Sequence, residues 1–195
     1  MIGGIILAAG ASSRMGSPKA LLDYRGERFV ERLVRVLSEV CDPVIVALGY
    51  HADAIRPVIE GRATIVTNPA PERGQLSSLQ TALSALPADA EGFLFTPVDS
   101  PAVEPATVER LAAEFRGRDF RTLLVIPRFE GRHGHPVFAT RAIADELLAL
   151  SVTGQAREVI HRHLGETVYV DVDDPGILID VDDPEVYRLL MRGAP

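Results

Sequence analysis

Apolar, β-branched runs alternate with stretches of helical spacing over the first 126 residues, and this alternation limits the possible folds more than any other feature. Residues 2–8, 43–48, 63–67, 92–96 and 122–126 read as strands. Between them, residues 27–39 place Phe29/Val30, Leu33/Val34 and Leu37 at helical spacing, and residues 76–86 carry Leu76, Leu79, Leu83 and Leu86 on one stripe. Residues 52–59 give a shorter helix, and 105–115 opens with Pro105, which suits a first turn. Strands alternating with helices predict right-handed βαβ units and a mostly parallel, Rossmann-like sheet covered on both faces, a three-layer α/β/α fold. In such sheets a ligand lies beyond the carboxyl ends of the strands. After residue 127 the pattern changes. An irregular loop over 128–139 leads into a strand at 136–139, followed by helices over 141–150 and 155–164. Strands at 167–172 and 177–181 come next, then a last helix near 184–191. Without a repeat or a long linker, residues 1–195 read as a single domain.

The net charge of −7 argues against DNA or RNA as a partner, since those favour a basic face. No apolar run approaches the ~20 residues of a membrane span. The apolar start of the chain lacks a basic leader and is too short for a signal peptide, so a cytoplasmic protein is expected. Cys41 is the one cysteine, which excludes an intrachain disulfide and suggests a plain buried thiol.

The chain carries one lysine, Lys19, against nineteen arginines. A compact ammonium kept at one position points to a grip on phosphate, for which a planar guanidinium is not equivalent. Lys19 follows the first strand and a loop of small residues. Ala8, Ala9, Gly10 and Ala11 let a base or phosphate approach the backbone, Ser12, Ser13 and Arg14 add donors, and Gly16 permits another tight turn. The spacing is neither that of a Walker A loop nor that of the dinucleotide fingerprint.

Residues 7–22, Leu-Ala-Ala-Gly-Ala-Ser-Ser-Arg-Met-Gly-Ser-Pro-Lys-Ala-Leu-Leu, resemble the signature of the MobA-like nucleotidyltransferases. The Ala-Ala-Gly and Pro-Lys forms are closest to the molybdenum cofactor cytidylyltransferase branch. The guanylyl branch usually reads Leu-Ala-Gly-Gly with Asp-Lys, and this chain departs from it. The resemblance implies transfer of a nucleoside monophosphate from an NTP, CTP favoured, to a phosphorylated acceptor such as molybdopterin, with Mg²⁺ as cofactor and pyrophosphate released. It implies that Arg14 and Lys19 hold phosphates and that the backbone of Ala8, Ala9 and Gly10 lies against the base, with Leu7, Ser12 and Ser13 also in the nucleotide-binding set. A molybdoenzyme or its chaperone is the implied protein partner.

Four further segments resemble the family in order. Asn68-Pro-Ala-Pro-Glu-Arg-Gly-Gln-Leu-Ser-Ser-Leu, over 68–79, resembles its Gly-x-x-x-Ser-Leu base-reading loop. Ser77 and Ser78 can cap the helix or donate to a ligand, and Asn68 and Gln75 join the nucleotide set, Gln75 at a base edge. Thr-Pro-Val-Asp-Ser-Pro, over 96–101, puts Asp99 at a strand's carboxyl end, where a carboxylate suits a hard cation; the resemblance makes it the principal metal ligand. Gly-Arg-His-Gly-His-Pro, over 131–136, resembles the loop that faces the acceptor and assigns His135 and Gly134 to it, with Arg132 and His133 as weaker candidates. Ile-Asp-Val-Asp-Asp-Pro-Glu, over 179–185, resembles the family's Asp-Ile-Asp-Thr-Pro-Glu. On the expected strand Asp180 and Asp182 share a face; Asp180 is the expected second metal ligand, with Asp182 the alternative. Asp182 or Asp183 starts the last helix.

An acceptor phosphate, with its second pKa about 6, is already largely ionised at neutral pH, so attack on the α-phosphorus needs no strong general base. Lys19, Arg14 and Asp99 are then the catalytic set, acting by position and charge. The alternatives are a cytidylyltransferase of methylerythritol phosphate or a sugar phosphate, a non-catalytic nucleotide-binding accessory protein, and, more distantly, a dehydrogenase with a divergent loop.

Overall fold

The computed structural model describes residues 1–151 and 153–193. β1 (Ile2–Ala8) is buried along its whole length, as suits a central parallel strand with both faces covered. β2 (Asp23–Tyr24) and β3 (Glu27–Arg28) form a separate small hairpin that the hydrophobic pattern does not announce. Its tip, Arg25 and Gly26, has φ of 56° and 82°, the geometry of a tight two-residue turn. The other strands are β4 (Val44–Leu48), β5 (Thr64–Thr67), β6 (Gly92–Pro97), β7 (Leu124–Phe129), β8 (Arg132–His133), β9 (Val137–Thr140) and β10 (Thr167–Asp171). The helices are α1 (Phe29–Ser38), α2 (Ala52–Ile59), α3 (Gln75–Leu83), α4 (Pro105–Gly117), α5 (Arg141–Ala149), α6 (Ala156–Arg162) and α7 (Pro184–Met191).

The main sheet runs β10-β7-β9-β6-β1-β4-β5, with β8 paired to β7. β1 is parallel to β4 and β6, β4 to β5, and β7 to β10. The α/β/α, mostly parallel architecture expected from the sequence is therefore present. β9 alone on the path runs against its neighbours, β6 and β7. Its connection from β7 is too short for the crossover that a parallel partner requires.

Alternation along β1 divides the core into two layers. Ile2, Ile6 and Ala8 join Phe29, Leu33, Ile55, Val108 and Phe115, on the side of α1, α2 and α4. Ile5 and Leu7 join Leu76, Leu79, Leu83, Ile143, Leu147 and Val159, on the side of α3, α5 and α6. Each of the Ile, Leu, Val and Phe side chains contributes about 1.5–3 kcal/mol on burial. Cys41 is buried against the first layer, as expected, and its desolvated thiol is pushed up to about 12. Among the described residues no helix is long and apolar enough to cross a membrane.

Three expectations need correction. The strand expected at 122–126 begins at Leu124, because Thr122 is bound to Asp119: its backbone N and its hydroxyl both donate to Asp119 Oδ1 at 2.9 Å. The irregular loop expected over 128–139 contains the β7–β8 hairpin, turned by Glu130 and Gly131 at φ of 47° and 78°. No strand forms over 177–181. Instead Pro175–Leu178 is a 3-10 turn whose N-cap, Asp174, accepts from Gly176 N. Ile177 and Val181 are buried there by the core around residues 98–103, which accounts for the apolar pattern without a ladder.

Candidate active site

β1 and β6 end side by side, with Leu7 opposite Pro97. The loops leaving them, residues 9–18 and 98–100, flank a pocket of about 260 Å³ at the carboxyl rim of the sheet. Leu7, Ala8, Ala9, Gly10, Ser12, Ser13, Arg14, Lys19, Gln75, Ser78 and Asp99 all line it, so most of the expected nucleotide residues are brought together, with Asp182 among them.

The first loop is fixed by its own bonds. Met15 N donates to Ser12 O at 3.0 Å, and Lys19 N donates to Ser12 Oγ at 3.0 Å. Gly16, at φ 68°, supplies the expected tight turn. From the corner between β4 and α2, Tyr50 N donates to Ala9 O at 3.2 Å and His51 Nε2 lies 3.0 Å from Ala11 O. Nothing in the sequence pattern marked His51 as a brace for this loop; its left-handed φ of 61° is a property of the fold.

Lys19 Nζ donates to Asp99 Oδ2 at 3.0 Å and to Asp182 Oδ1 at 2.6 Å. Arg14 lies farther out, 3.6 Å from the same Asp182 oxygen. Partial burial works against the charged form of Lys19, but hydrogen bonds to Asp182 and Asp99, with their charges, outweigh it and hold its pKa above the ordinary lysine value. The ammonium therefore stays charged at neutral pH. Two carboxylate oxygens converging on one cation are hard donors of the kind that suits a divalent ion keeping several waters, so the residues present fit such an ion. Among the described residues no cluster of three or more metal-binding side chains occurs.

The segment carrying Asp182 is strapped to the Asp99 loop. Val181 N donates to Asp99 O at 2.8 Å, and Ser100 Oγ donates to Asp180 Oδ1 at 2.6 Å. Asp180 thus braces the loop and does not line the pocket, while Asp182 does. With no strand there, the same-face pairing of the two residues does not apply. Asp183 is the N-cap of α7, accepting from Glu185 N and Val186 N. On the far side of the loop, buried Arg32 donates to Pro101 O at 2.8 Å and Val103 O at 3.1 Å.

The opposite wall is held by Asn68. Its Nδ2 donates to Ser78 Oγ at 3.0 Å, and its Oδ1 accepts from Ala70 N and Ser77 Oγ. Asn68 is buried and outside the pocket lining, and neither serine caps α3. Gln75 stands exposed at the first position of that helix.

His135 and Gly134 lie between β8 and β9, outside this pocket. The His135 ring meets Phe95 edge-on at 5.7 Å, and its Nδ1 has no hydrogen-bond partner among the described residues. Burial lowers its pKa against the opposing charges of Asp180 and Asp99, so the imidazole is neutral at pH 7. Gly134 has a packing reason of its own: a Cβ there would overlap the Ile177 carbonyl, to which His135 N is also bonded.

The convergence of lysine, arginine and carboxylates on a rim of small residues suits triphosphate chemistry, and the protein is a nucleotidyltransferase. Residues 4–168 match the MobA-like NTP transferase domain, and the chain belongs to that family. It is similar to the molybdenum cofactor cytidylyltransferase of Escherichia coli, 25% identical over 93% of this chain and 91% of the relative. The molybdenum cofactor guanylyltransferase of Sinorhizobium fredii is 32% identical, over 84% and 76%. A protein named nicotine blue oxidoreductase, from Paenarthrobacter nicotinovorans, is 34% identical over 96% and 95%. Among solved structures, Rv0371C of Mycobacterium tuberculosis H37Rv in complex with manganese superposes with a TM-score of 0.78, at 28% identity and over 99% of each chain.

Proposed function

We propose that the protein transfers a nucleotidyl group from CTP to the phosphate of molybdopterin, and that residues 1–195 act as one nucleotidyltransferase domain. The observation that carries this reading is the shared ammonium of Lys19, bound to Asp99 and Asp182 in the lining of the pocket beside β1. The Ala-Ala-Gly and Pro-Lys forms at residues 8–10 and 18–19 support the cytidylyl branch, as does the name of the Escherichia coli relative.

In the proposed reaction an acceptor phosphate oxygen forms a bond to the α-phosphorus as the bond from that phosphorus to the β-phosphate bridging oxygen breaks. Pyrophosphate leaves with the electron pair. The backbone of Ala8–Gly10 and the side chains of Gln75 and Ser78 orient the nucleoside. Lys19 and Arg14 neutralise the charge that grows on the leaving group. The chain holds reactants in line and supplies no general base, in keeping with an acceptor already ionised at neutral pH. Asp99 and Asp182 would hold a divalent cation, Mg²⁺ in this reading, which would supply further neutralisation of the triphosphate. The complex of Rv0371C with manganese supports a divalent ion. Asn68, Ser77 and Asp180 act as braces, and the loop of Gly134 and His135 is the proposed acceptor-binding segment. A molybdoenzyme or its chaperone is the proposed recipient of the product.

Incubation with each of the four NTPs, Mg²⁺ and molybdopterin tests the reading. Pyrophosphate released only with acceptor present, and fastest with CTP, is the expected result. Release with GTP alone moves the assignment to the guanylyl branch. A chain that releases none with any NTP, yet oxidises a nicotinamide cofactor, would belong with the relative named as an oxidoreductase.

A further inference from the structure

We infer that Lys19 closes the two carboxylates to a free divalent ion, so that metal enters this site with the triphosphate and not before it. The inference rests on the nucleotidyl-transfer reading of the same pocket. Nζ of Lys19 stands between Asp99 Oδ2, at 3.0 Å, and Asp182 Oδ1, at 2.6 Å. These are the two oxygens that a hard cation would need. The Lys19 and Asp99 side chains are 13% and 23% exposed, so their attraction exceeds that of a surface ion pair, while Asp182, at 48%, meets the same ammonium from a more open position. Arg14 adds a second positive charge 3.6 Å from the same Asp182 oxygen.

The carboxylates sit on pinned backbone. Asp99 O accepts from Val181 N, and the neighbours Ser100 and Asp180 are bonded to each other at 2.6 Å. The backbone at Lys19 is pinned too, by Lys19 N on Ser12 Oγ. What can move is the four-carbon stem of the lysine. A dication arriving alone would have to displace that ammonium and would meet the positive charge it leaves nearby. A triphosphate gives Lys19 and Arg14 new anionic partners, and the lysine stem, swinging to them, leaves both carboxylates to the incoming ion. Metal and nucleotide then favour each other's binding reciprocally.

Mn²⁺ is the probe, read through the electron paramagnetic resonance of the free ion, on the full chain without nucleotide. Lys19→Met and Lys19→Gln should each bind Mn²⁺ at least about tenfold more tightly than the unmodified protein, or about 1.4 kcal/mol. Adding Asp99→Asn to Lys19→Met should remove that gain. Equal affinities, absence of binding in all forms, or a gain that survives Asp99→Asn would each overturn the inference. Circular dichroism checks that the variants fold. The unmodified chain gives an independent arm: its Tm should stay put with Mn²⁺ alone, and a rise would also overturn the inference. None of these readouts needs turnover, so failure to release pyrophosphate sinks the functional reading separately.

Discussion

Lys19 Nζ and Asp182 Oδ1 stand 2.6 Å apart although 163 positions separate them in the chain. The contact joins the loop after β1 to the segment before α7, and Asp99 after β6 completes it. Three separate parts of the sequence thus share one charge. Lys19→Ala and Asp99→Ala are each expected to lower pyrophosphate release by about a hundredfold or more. Their circular dichroism should match the unmodified protein, and folded variants with near-normal rates would remove these residues from the mechanism.

Asp182 and Asp180 should separate cleanly. Asp182→Asn removes a charge from the pocket and should slow turnover by roughly a hundredfold. Asp180→Asn keeps an oxygen to accept the Ser100 hydroxyl and should cost less than about tenfold. Steady-state rates at saturating Mg²⁺ measure both, and the reverse ranking would make Asp180 the metal ligand.

Arg32 is 4% exposed and carries its charge to two backbone carbonyls of the segment after Asp99. Arg32→Met leaves Pro101 O and Val103 O without their donor and should destabilise the fold by roughly 3 kcal/mol. Urea denaturation reads this directly as a lower midpoint at unchanged slope.

Gly134→Ala should destabilise by roughly 2 kcal/mol or more, because the new methyl group overlaps the Ile177 carbonyl. A thermal melt tests it; an unchanged Tm would show that the hairpin and the 3-10 turn can separate at no cost.

Cys41 should resist alkylation. With its thiol pushed up to about 12, roughly one molecule in ten thousand carries the thiolate at pH 8. Labelling should become fast only as the pH nears that value or after denaturant is added. Rapid labelling of the folded chain at pH 8 would contradict the buried environment.

Much of the fold was legible because β1, β4 and β6 are buried runs separated by helical stripes. Ile2–Ala8, Ala52–Ile59 and Pro184–Met191 end where periodicity, glycine and proline place their ends. The pattern failed where tertiary contacts set the backbone. Ile177 and Val181 have a strand's alternation but are buried by the core around the Asp99 loop, and Thr122 is drawn from its ladder by Asp119. The rim residues were legible from Lys19 and the small-residue loop. The division of labour among them was not: Asn68, Ser77 and Asp180 carry polar groups that look fit for a ligand, and the fold satisfies them internally. Only the three-dimensional meeting of residues 19, 99 and 182 brings Asp182, and not Asp180, to the pocket lining.

The strap from Val181 to Asp99 has a consequence for the order in which the molecule can come into being. The strands that build the floor of the cleft are all complete by Pro97, yet the third charged partner is made more than eighty positions later. A chain emerging from the ribosome would carry the rim residues of β1 and β6 well before β9, which pairs with β6, and before Asp182. The meeting of Lys19, Asp99 and Asp182 would therefore arrive late in synthesis, when the segment before α7 docks.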